Sequence, residues 1–417
     1  MRLLGRAAIA AGVVALFTLA PVAVAHADSI RDAEYWLDEY GIRAAWQTTR
    51  GAGQVIAVID TGVDPTVPEL QGAVLPGADF SGEGDSKGWT PVGDSEEDRP
   101  HGTLVASMAA GRGTGPNEGM IGVAPEAKIL PISIGFDGKS DSDDEIAAAV
   151  RFAVDHGATV INMSLTRNTL EWPRSWDDAF LYAMQHDVVI VAAAGNRASG
   201  TTVVGAPATM PGVLTVAGVD RNGQASVGAS SQGITIGVAA PSEQLVGVAP
   251  GGVYLMWGGT SGAAPLVAGI VALVRASHPS LDANNVIERI VATAKDAGAP
   301  GQDALYGWGL VDAAAAVTST SVPFVTTNPM GSLQDWVRLY RPTAAEPDPV
   351  PTPVEIEPST PLVVAADPPS PTGRLLPSVT LLRTVGVGAL AIALFVAGAI
   401  VIGVWAVRRA EAARRSR

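Results

Sequence analysis

Four polar side chains in this sequence carry the functional groups needed to cleave a carbonyl compound through a covalent intermediate. They are Asp60, His101, Asn196 and Ser261. A carboxylate can orient a histidine, the histidine can take a proton, and a serine freed of its proton can attack a carbonyl carbon. An asparagine amide can donate a hydrogen bond to the oxygen that becomes negative. This chemistry requires a fold that brings all four side chains to one place.

Asp60 lies at the end of the run VIAVIDTGV, which indicates a buried strand followed by a turn. An Asp-Thr-Gly motif is also found in paired-aspartate sites, where two carboxylates share one proton and two similar turns are needed. The best second copy in this chain is KDAG at 295–298, in which alanine stands in the hydroxyl position. The sequence therefore favours Asp60 as a carboxylate that orients a histidine.

The other three residues also stand at the ends of predicted elements. His101 opens the stretch HGTLVASMAAG, whose small residues would let a helix pack closely under a site. Asn196 closes the strand-like run VVIVAAAGN, and Ser261 lies in GGTSGAAP, ahead of a long apolar helix. Free N–H groups and the dipole at the start of that helix would stabilise an oxyanion. Taken singly, turns would explain His101 and Asn196, and a helix cap would explain Ser261.

The elements that position these residues alternate along the chain between β-branched runs and helical patterns. Strands are predicted at 55–60, 129–134, 159–163, 188–194 and 213–219, and helices at 145–155, 176–186 and 265–277. Strands that are apolar throughout are typical of a parallel sheet covered by helices on both faces. Such sheets bind ligands at the carboxyl ends of their strands, which is where Asp60 lies. The sequence predicts an α/β fold with a mainly parallel sheet.

The joint occurrence of these motifs in this order resembles the subtilisin-like serine proteases. The matching segments are VIAVIDTGV, HGTLVASMAAG, IGVAP, VINMSL, VAAAGN, GTSGAAPLVAG and YGWGLVDAAAAV. The resemblance implies a subtilisin-like three-layer fold with a mainly parallel central sheet. It also implies an endopeptidase with the triad Asp60, His101 and Ser261, with Asn196 in the oxyanion hole. This chemistry needs no cofactor and no metal.

The resemblance further implies two groups of substrate-binding residues. Ser164, Leu165 and Thr166 should border the substrate strand, and Ala193, Ala194 and Gly195 should line the pocket for the residue before the scissile bond. Thr166 stands where the family usually has glycine, so we expect an altered contact and a narrower specificity. Arg197 is either a cation that favours acidic substrate residues or a solvated loop residue.

The composition excludes several other classes of function. A net charge of −14 leaves nothing to neutralise phosphates, which argues against a nucleic-acid partner. The chain has no cysteine, so thiol catalysis and thiolate metal sites are excluded and the core must stabilise the fold without disulfides. Acidic runs at 94–98 and 141–145 indicate a solvated surface. Lys139 stands where an EF-hand loop needs an oxygen ligand, so that template fails.

Both ends of the chain carry membrane-related signals. A basic start, an apolar run and the triplet Ala-His-Ala at 25–27 predict a cleaved signal peptide, with an uncleaved anchor as the alternative. An uncharged run at 385–407 followed by arginines predicts a single membrane helix with a cytoplasmic C-terminus and an extracytoplasmic catalytic domain. The predicted division is signal peptide 1–27, catalytic domain 28–320, extension and proline-rich stalk 321–373, transmembrane segment 374–407 and basic tail 408–417.

The arrangement most closely resembles the mycosins, the membrane-anchored subtilases of type VII secretion systems. The 28–60 segment leaves no room for an inhibitory propeptide, and WLDEYGIRAAW looks like the mycosin segment that lies against the catalytic domain. The absence of cysteine departs from many mycosins, which carry disulfides. The resemblance implies polypeptide substrates and a secretion membrane complex as partner. The alternative is a mainly structural component of that complex whose proteolytic activity is little used.

Overall fold

The computed structural model describes residues 29–93, 95, 98–135 and 142–341. The predicted signal peptide, most of the stalk, the transmembrane segment and the basic tail lie outside the described residues. Within them, one helix is long and apolar enough to span a membrane, Thr260–Ser277, and it is buried in the domain. That helix is therefore a core helix of the folded domain.

The centre of the domain is a seven-stranded sheet in which every pair of neighbouring strands is parallel. Its strands are β1 Val55–Asp60, β2 Ala78–Asp79, β3 Lys128–Ser133, β4 Val160–Met163, β5 Val189–Ala193, β6 Leu214–Val219 and β7 Ile236–Pro241. Their order across the sheet is β2-β3-β1-β4-β5-β6-β7. A separate antiparallel hairpin comprises β8 Leu245–Ala249 and β9 Val253–Trp257. The predicted α/β fold with a mainly parallel sheet is confirmed.

Helices cover the sheet and the ends of the domain. They are α1 Ser29–Ala33, α2 Trp36–Glu39, α3 Ile42–Ala45, α4 His101–Ala110, α5 Ser142–Asp155, α6 Arg174–Gln185, α7 Thr260–Ser277, α8 Ala283–Ala292, α9 Ala313–Thr318 and α10 Leu333–Tyr340. The pair α4 and α7 and the pair α5 and α6 pack on the sheet as its two outer layers. Strands β4, β5 and β6 are consequently buried along their whole length, as their unbroken apolar sequences predict.

The start of α7 differs from the prediction. The helix begins at Thr260 and not at residue 265, so Pro265 lies in its second turn. A proline there has no N–H to donate to the carbonyl of Ser261 four residues earlier. The helix tolerates this loss because the Ser164 hydroxyl donates to that carbonyl instead.

The N-terminal segment packs into the domain, as its predicted likeness to a segment lying on the catalytic domain requires. The side chains of Trp36 and Leu37 are fully buried. Arg31 and Glu34 form a buried ion pair of 3.0 Å, and Glu34 also accepts the N–H of Ile121 at 2.9 Å. The N-terminal segment therefore contributes side chains to the hydrophobic core of the domain.

Candidate active site

Asp60 and His101 meet where β1 ends and α4 begins. The Asp60 side chain is fully buried, and its two oxygens lie 2.8 and 2.9 Å from Nδ1 of His101. A carboxylate can only accept, so His101 donates its Nδ1–H, and Nε2 is left as the acceptor. That tautomer is the one a general base needs.

The Asp-Thr-Gly turn holds the start of α4 against the end of β1. The hydroxyl of Thr61 accepts the N–H of Gly102 at 2.9 Å and donates to the carbonyl of Arg99 at 3.2 Å. A Cβ on Gly102 would lie 2.2 Å from the carbonyl oxygen of Gly62. The glycine after His101 is therefore required for the close approach that places the imidazole on Asp60.

Three effects set the pKa of His101. Burial of the ring lowers it, although the side chain remains 30% exposed. The charge and hydrogen bond of Asp60, joined by the charge of Asp98, outweigh burial and raise the pKa of His101 above its ordinary value. These same charges stabilise the imidazolium that forms when the ring accepts a proton.

Ser261 is the second residue of α7, and Ser164 bonds to it from the end of β4. The Ser164 hydroxyl donates to the carbonyl of Ser261 at 2.8 Å, which supplies the donor that Pro265 lacks. Ser164 in turn accepts from Asn162 Nδ2 at 2.9 Å. The Ser261 hydroxyl donates to the Ser164 carbonyl at 3.2 Å. The two serines thus join strand β4 to the first turn of α7.

Asn196 bonds to the same turn from the end of β5. Its Oδ1 accepts from the N–H of Thr260 at 2.8 Å and from the Thr260 hydroxyl at 3.0 Å. Because Oδ1 is occupied, Nδ2 is the group left to donate to a ligand. Gly259 has a φ of 133°, and a Cβ on it would lie 3.0 Å from that Nδ2. A side chain at residue 259 would therefore crowd the asparagine amide, which favours glycine there.

The structure brings the predicted substrate-binding residues to the same edge of the sheet. Ser164, Leu165 and Thr166 follow β4, and Ala193, Ala194 and Gly195 end β5 and the turn after it. Strands β4 and β5 are neighbours, with Met163 paired to Ala192. The two predicted groups therefore lie at the ends of two neighbouring strands, and Ser164 contacts Ser261.

Two further residues shape the site. The ring of Trp257, at the end of β9, meets the imidazole of His101 edge-on at 5.9 Å between centroids, a contact that the sequence reasoning missed. The sequence signal for this contact was the position of Trp257, which lies only four residues before Ser261. Arg197 donates to the carbonyls of Ser226 and Val227 and to the side chain of Gln232. These bonds favour the interpretation of Arg197 as a loop residue, and they add contacts to residues 226–232 that the prediction did not include.

Comparisons with known proteins identify the family of this chain. The family model described as the subtilase family, Peptidase_S8, matches residues 51–309. The chain belongs to the subtilase family. Fervidolysin of Fervidobacterium pennivorans is 36% identical over 68% of this chain, and the chain spans only 44% of the length of that relative.

Two other subtilases are similar over most of their length. Mycosin-3 of Mycobacterium tuberculosis is 35% identical over 66% of this chain and 69% of its own length. The solved structure of the MycP3 protease from the type VII (ESX-3) secretion system matches with a TM-score of 0.57. That match has 33% identity and covers 68% of this chain and 87% of MycP3. The likeness to mycosins is thus shown in both sequence and fold.

Proposed function

We propose that this subtilase is a serine endopeptidase with Asp60, His101 and Ser261 as its catalytic triad and Asn196 in its oxyanion hole. One observation carries the proposal. Asp60 fixes the tautomer of His101, while Ser164 and Asn196 hold the helix turn that presents Ser261. The proposed catalytic residues and the residues that hold them lie at the ends of β1, β4 and β5 and at the starts of α4 and α7, and this placement supports the proposal.

The reaction follows from these positions. The Ser261 hydroxyl turns from the Ser164 carbonyl towards His101, gives its proton to Nε2 and attacks the peptide carbonyl. Asn196 Nδ2 and the Ser261 N–H donate to the oxyanion, and Asp60 stabilises the imidazolium. His101 then returns the proton to the departing amine as the C–N bond breaks. Water, deprotonated by His101, releases the acyl group.

The proposed setting is a membrane. The uncharged run at 385–407 with arginines after it supports one membrane helix, a cytoplasmic tail at 408–417 and an extracytoplasmic domain at 28–320. The likeness to mycosin-3 and to the MycP3 protease supports action on polypeptides of a type VII secretion system. The proline-rich residues of 321–373 would then hold the domain off the membrane surface.

A fluorophosphonate probe tests the proposed catalytic activity directly. It is added to the full-length protein in detergent, and labelling is read by intact mass. We expect one adduct, which Ser261→Ala abolishes and Ser277→Ala leaves in place. Ser277 is a matched control because it is the last residue of the same helix. A folded wild-type protein that stays unlabelled would contradict the proposal.

The second candidate function is a mainly structural role in a secretion complex. It is favoured by the resting position of the Ser261 hydroxyl, which donates to Ser164 and is not engaged with His101. The test compares export in source cells that lack this protein with export in cells that carry Ser261→Ala. The variant must be present at the wild-type level. If the variant supports export where the deletion does not, assembly is the main role. If the variant fails to support export, as the deletion does, proteolysis is the main role.

A further inference from the structure

Three cationic side chains line one depression on the surface of a protein whose net charge is −14. This cavity of about 400 Å³, which we call the basic pocket, is lined by Arg50, Arg112, Pro125, Glu126 and Lys128. Arg50 precedes β1, Arg112 follows α4, and Lys128 is the first residue of β3. Separate parts of the chain thus bring like charges together, which costs free energy unless an anion compensates them.

The basic pocket lies at the edge of the sheet opposite the candidate active site. Lys128 pairs with Val55 at the start of β1, whereas Asp60 ends that strand. Because β1 has six residues, its two ends lie about 17 Å apart. The carbonyl of Arg50 accepts the N–H of Glu126 at 2.9 Å, and this bond joins the segments that precede β1 and β3. The basic pocket is therefore separate from the proposed catalytic residues.

The positive charge of the basic pocket is not neutralised by the protein itself. No carboxylate within the described residues forms an ion pair with any of the three cations. Burial lowers the pKa of Arg50, the charge of Glu126 raises it, and the charges of Arg31 and Arg43 lower it. With three cations and the exposed carboxylate of Glu126, the basic pocket has a formal net charge of +2.

Contacts with neutral groups fix two of the cations in place. The guanidinium of Arg50 lies over the ring of Trp46, 4.5 Å from its centroid. That ring is held in turn, because its Nε1 donates to the carbonyl of Val123 at 2.8 Å. Lys128 Nζ donates to the carbonyl of Gly72 at 2.7 Å. These contacts position the two charges without neutralising them, so little side-chain entropy remains to be lost when an anion binds.

The third cation, Arg112, has a donor that the protein does not use. Its Nε is buried and has no hydrogen-bond partner in the part of the chain that the structure describes. Its Nη1 lies 3.5 Å from the carbonyl of Gln71, which is a long contact. A buried donor without a partner costs free energy that an acceptor on a ligand would recover. The unused donor and the uncompensated charge are independent observations, and both indicate an anionic ligand.

We propose that the basic pocket binds a phosphate group with two negative charges, either inorganic phosphate or a phosphate monoester. Such a group carries about −1.5 to −2 charges at neutral pH and has three acceptor oxygens, which match the charge of +2 and the three cations. A carboxylate offers one charge and two oxygens. Arginine forks and lysine ammonium groups are common phosphate ligands in proteins.

This ligand is compatible with the acidic character of the whole protein. A polyanion such as a nucleic acid would meet the acidic remainder of the surface, whereas one small phosphate group contacts only the basic pocket. The inference does not rest on the proposed proteolytic function, because the basic pocket lies at the other end of β1.

Isothermal titration calorimetry on the full-length protein in detergent tests this inference. The probe is inorganic phosphate, with succinate as a dicarboxylate of similar charge, and sodium chloride keeps the ionic strength constant. We expect saturable phosphate binding that Arg112→Gln and Lys128→Gln each weaken at least about tenfold. The matched control Arg338→Gln removes a charge that is 72% exposed on α10, and should change the affinity less than about twofold. An unchanged melting temperature shows that each variant is folded.

A second titration identifies the source of the phosphate group. It uses dioctanoyl phosphatidic acid, a short-chain lipid with a phosphate monoester, and dioctanoyl phosphatidylcholine as the control for binding to detergent. Tighter binding of phosphatidic acid than of inorganic phosphate, lost in Arg112→Gln, would support a lipid headgroup as the ligand. Equal affinities would support free phosphate.

Three results would overturn the inference. The first is the absence of saturable binding for both inorganic phosphate and phosphatidic acid. The second is an affinity that neither Arg112→Gln nor Lys128→Gln lowers. The third is succinate binding as tight as phosphate binding, which would favour an acidic peptide segment as the ligand. Fluorophosphonate labelling of Ser261 is measured separately, so the proposed function stands or fails independently of these titrations.

Discussion

At the scale of single residues, Asn196 performs two tasks with the two ends of one amide. Its oxygen supports Thr260, and its nitrogen is the proposed oxyanion donor. Asn196→Asp keeps an oxygen for Thr260 but removes the donor, so kcat should fall by at least about 10²–10³, the loss known for such a donor in subtilisin, a member of the same family. Steady-state kinetics on a peptide measures this. An unchanged melting temperature serves as the control, and an unchanged kcat would contradict the assignment.

Asp98 offers a test of the electrostatics around His101. Its charge raises the pKa of His101, so Asp98→Asn should lower that pKa. His101 must be neutral to accept a proton, and the acid limb of the kcat/KM profile reports this ionisation in the free enzyme. The limb should therefore move to lower pH in the variant. High salt should shrink the difference by screening the charge. A limb that moves to higher pH would show that Asp98 does not act through its charge.

At the scale of elements, the first turn of α7 depends on strand β4. Ser164→Ala removes the donor to the Ser261 carbonyl and should lower the free energy of unfolding by about 1–3 kcal/mol. In a Pro265→Ala background the helix regains its own N–H for that carbonyl, so the same substitution should cost less. A double-mutant cycle by thermal or urea unfolding measures the coupling. Additive costs would show that the two residues do not share this acceptor.

The buried pair of Arg31 and Glu34 predicts how firmly the N-terminal segment is held. Glu34→Ala leaves the buried guanidinium without its carboxylate and should cost about 3–5 kcal/mol in the free energy of unfolding. Asp38→Ala breaks a pair with Arg43 that is 73% and 37% exposed, and should cost less than about 1 kcal/mol. Urea unfolding compares the two. If Glu34→Ala and Asp38→Ala lower the free energy of unfolding equally, the buried pair does not hold the N-terminal segment firmly.

The sequence predicted those elements whose residues carry a local pattern. Strands β1 and β3 to β6 were predicted from unbroken apolar runs, and α5 and α6 from helical patterns. The predicted start of α7 was wrong because Ser164, which supplies the donor that Pro265 lacks, lies 97 residues earlier in the chain. The hairpin of β8 and β9 was missed because β9 is largely exposed and lacks the alternation that marks a half-buried strand.

The site was predictable to the extent that each residue stands at an element boundary. Asp60, His101, Asn196 and Ser261 were found from strand ends and helix starts. The edge-on contact of Trp257 with His101 was not. That contact depends on where the hairpin of β8 and β9 packs in the fold, which no local pattern reveals.

At the scale of the whole molecule, the proposed membrane anchor makes a simple prediction. The full-length protein should stay with the membrane fraction after alkaline carbonate extraction, because the uncharged run at 385–407 is long enough to span the bilayer core if it is helical. A chain ending at residue 373 should be released to the soluble fraction with its fluorophosphonate labelling intact. Immunoblotting of the fractions measures both. A truncated chain that still pellets with the membrane would show that another part of the protein provides the attachment.

The burial of α7 has a consequence for the lifetime of the protein. The proposed nucleophile, Ser261, lies on the helix that packs against β1, β4, β5, β6 and β7, so unfolding of the core would separate it from Asp60 and His101 in the same event. A molecule therefore stops being a protease at the moment when its own peptide bonds become accessible. Self-digestion can then occur only between an intact copy and an unfolded one, and its rate should rise with the square of concentration in a half-denatured sample and vanish at high dilution.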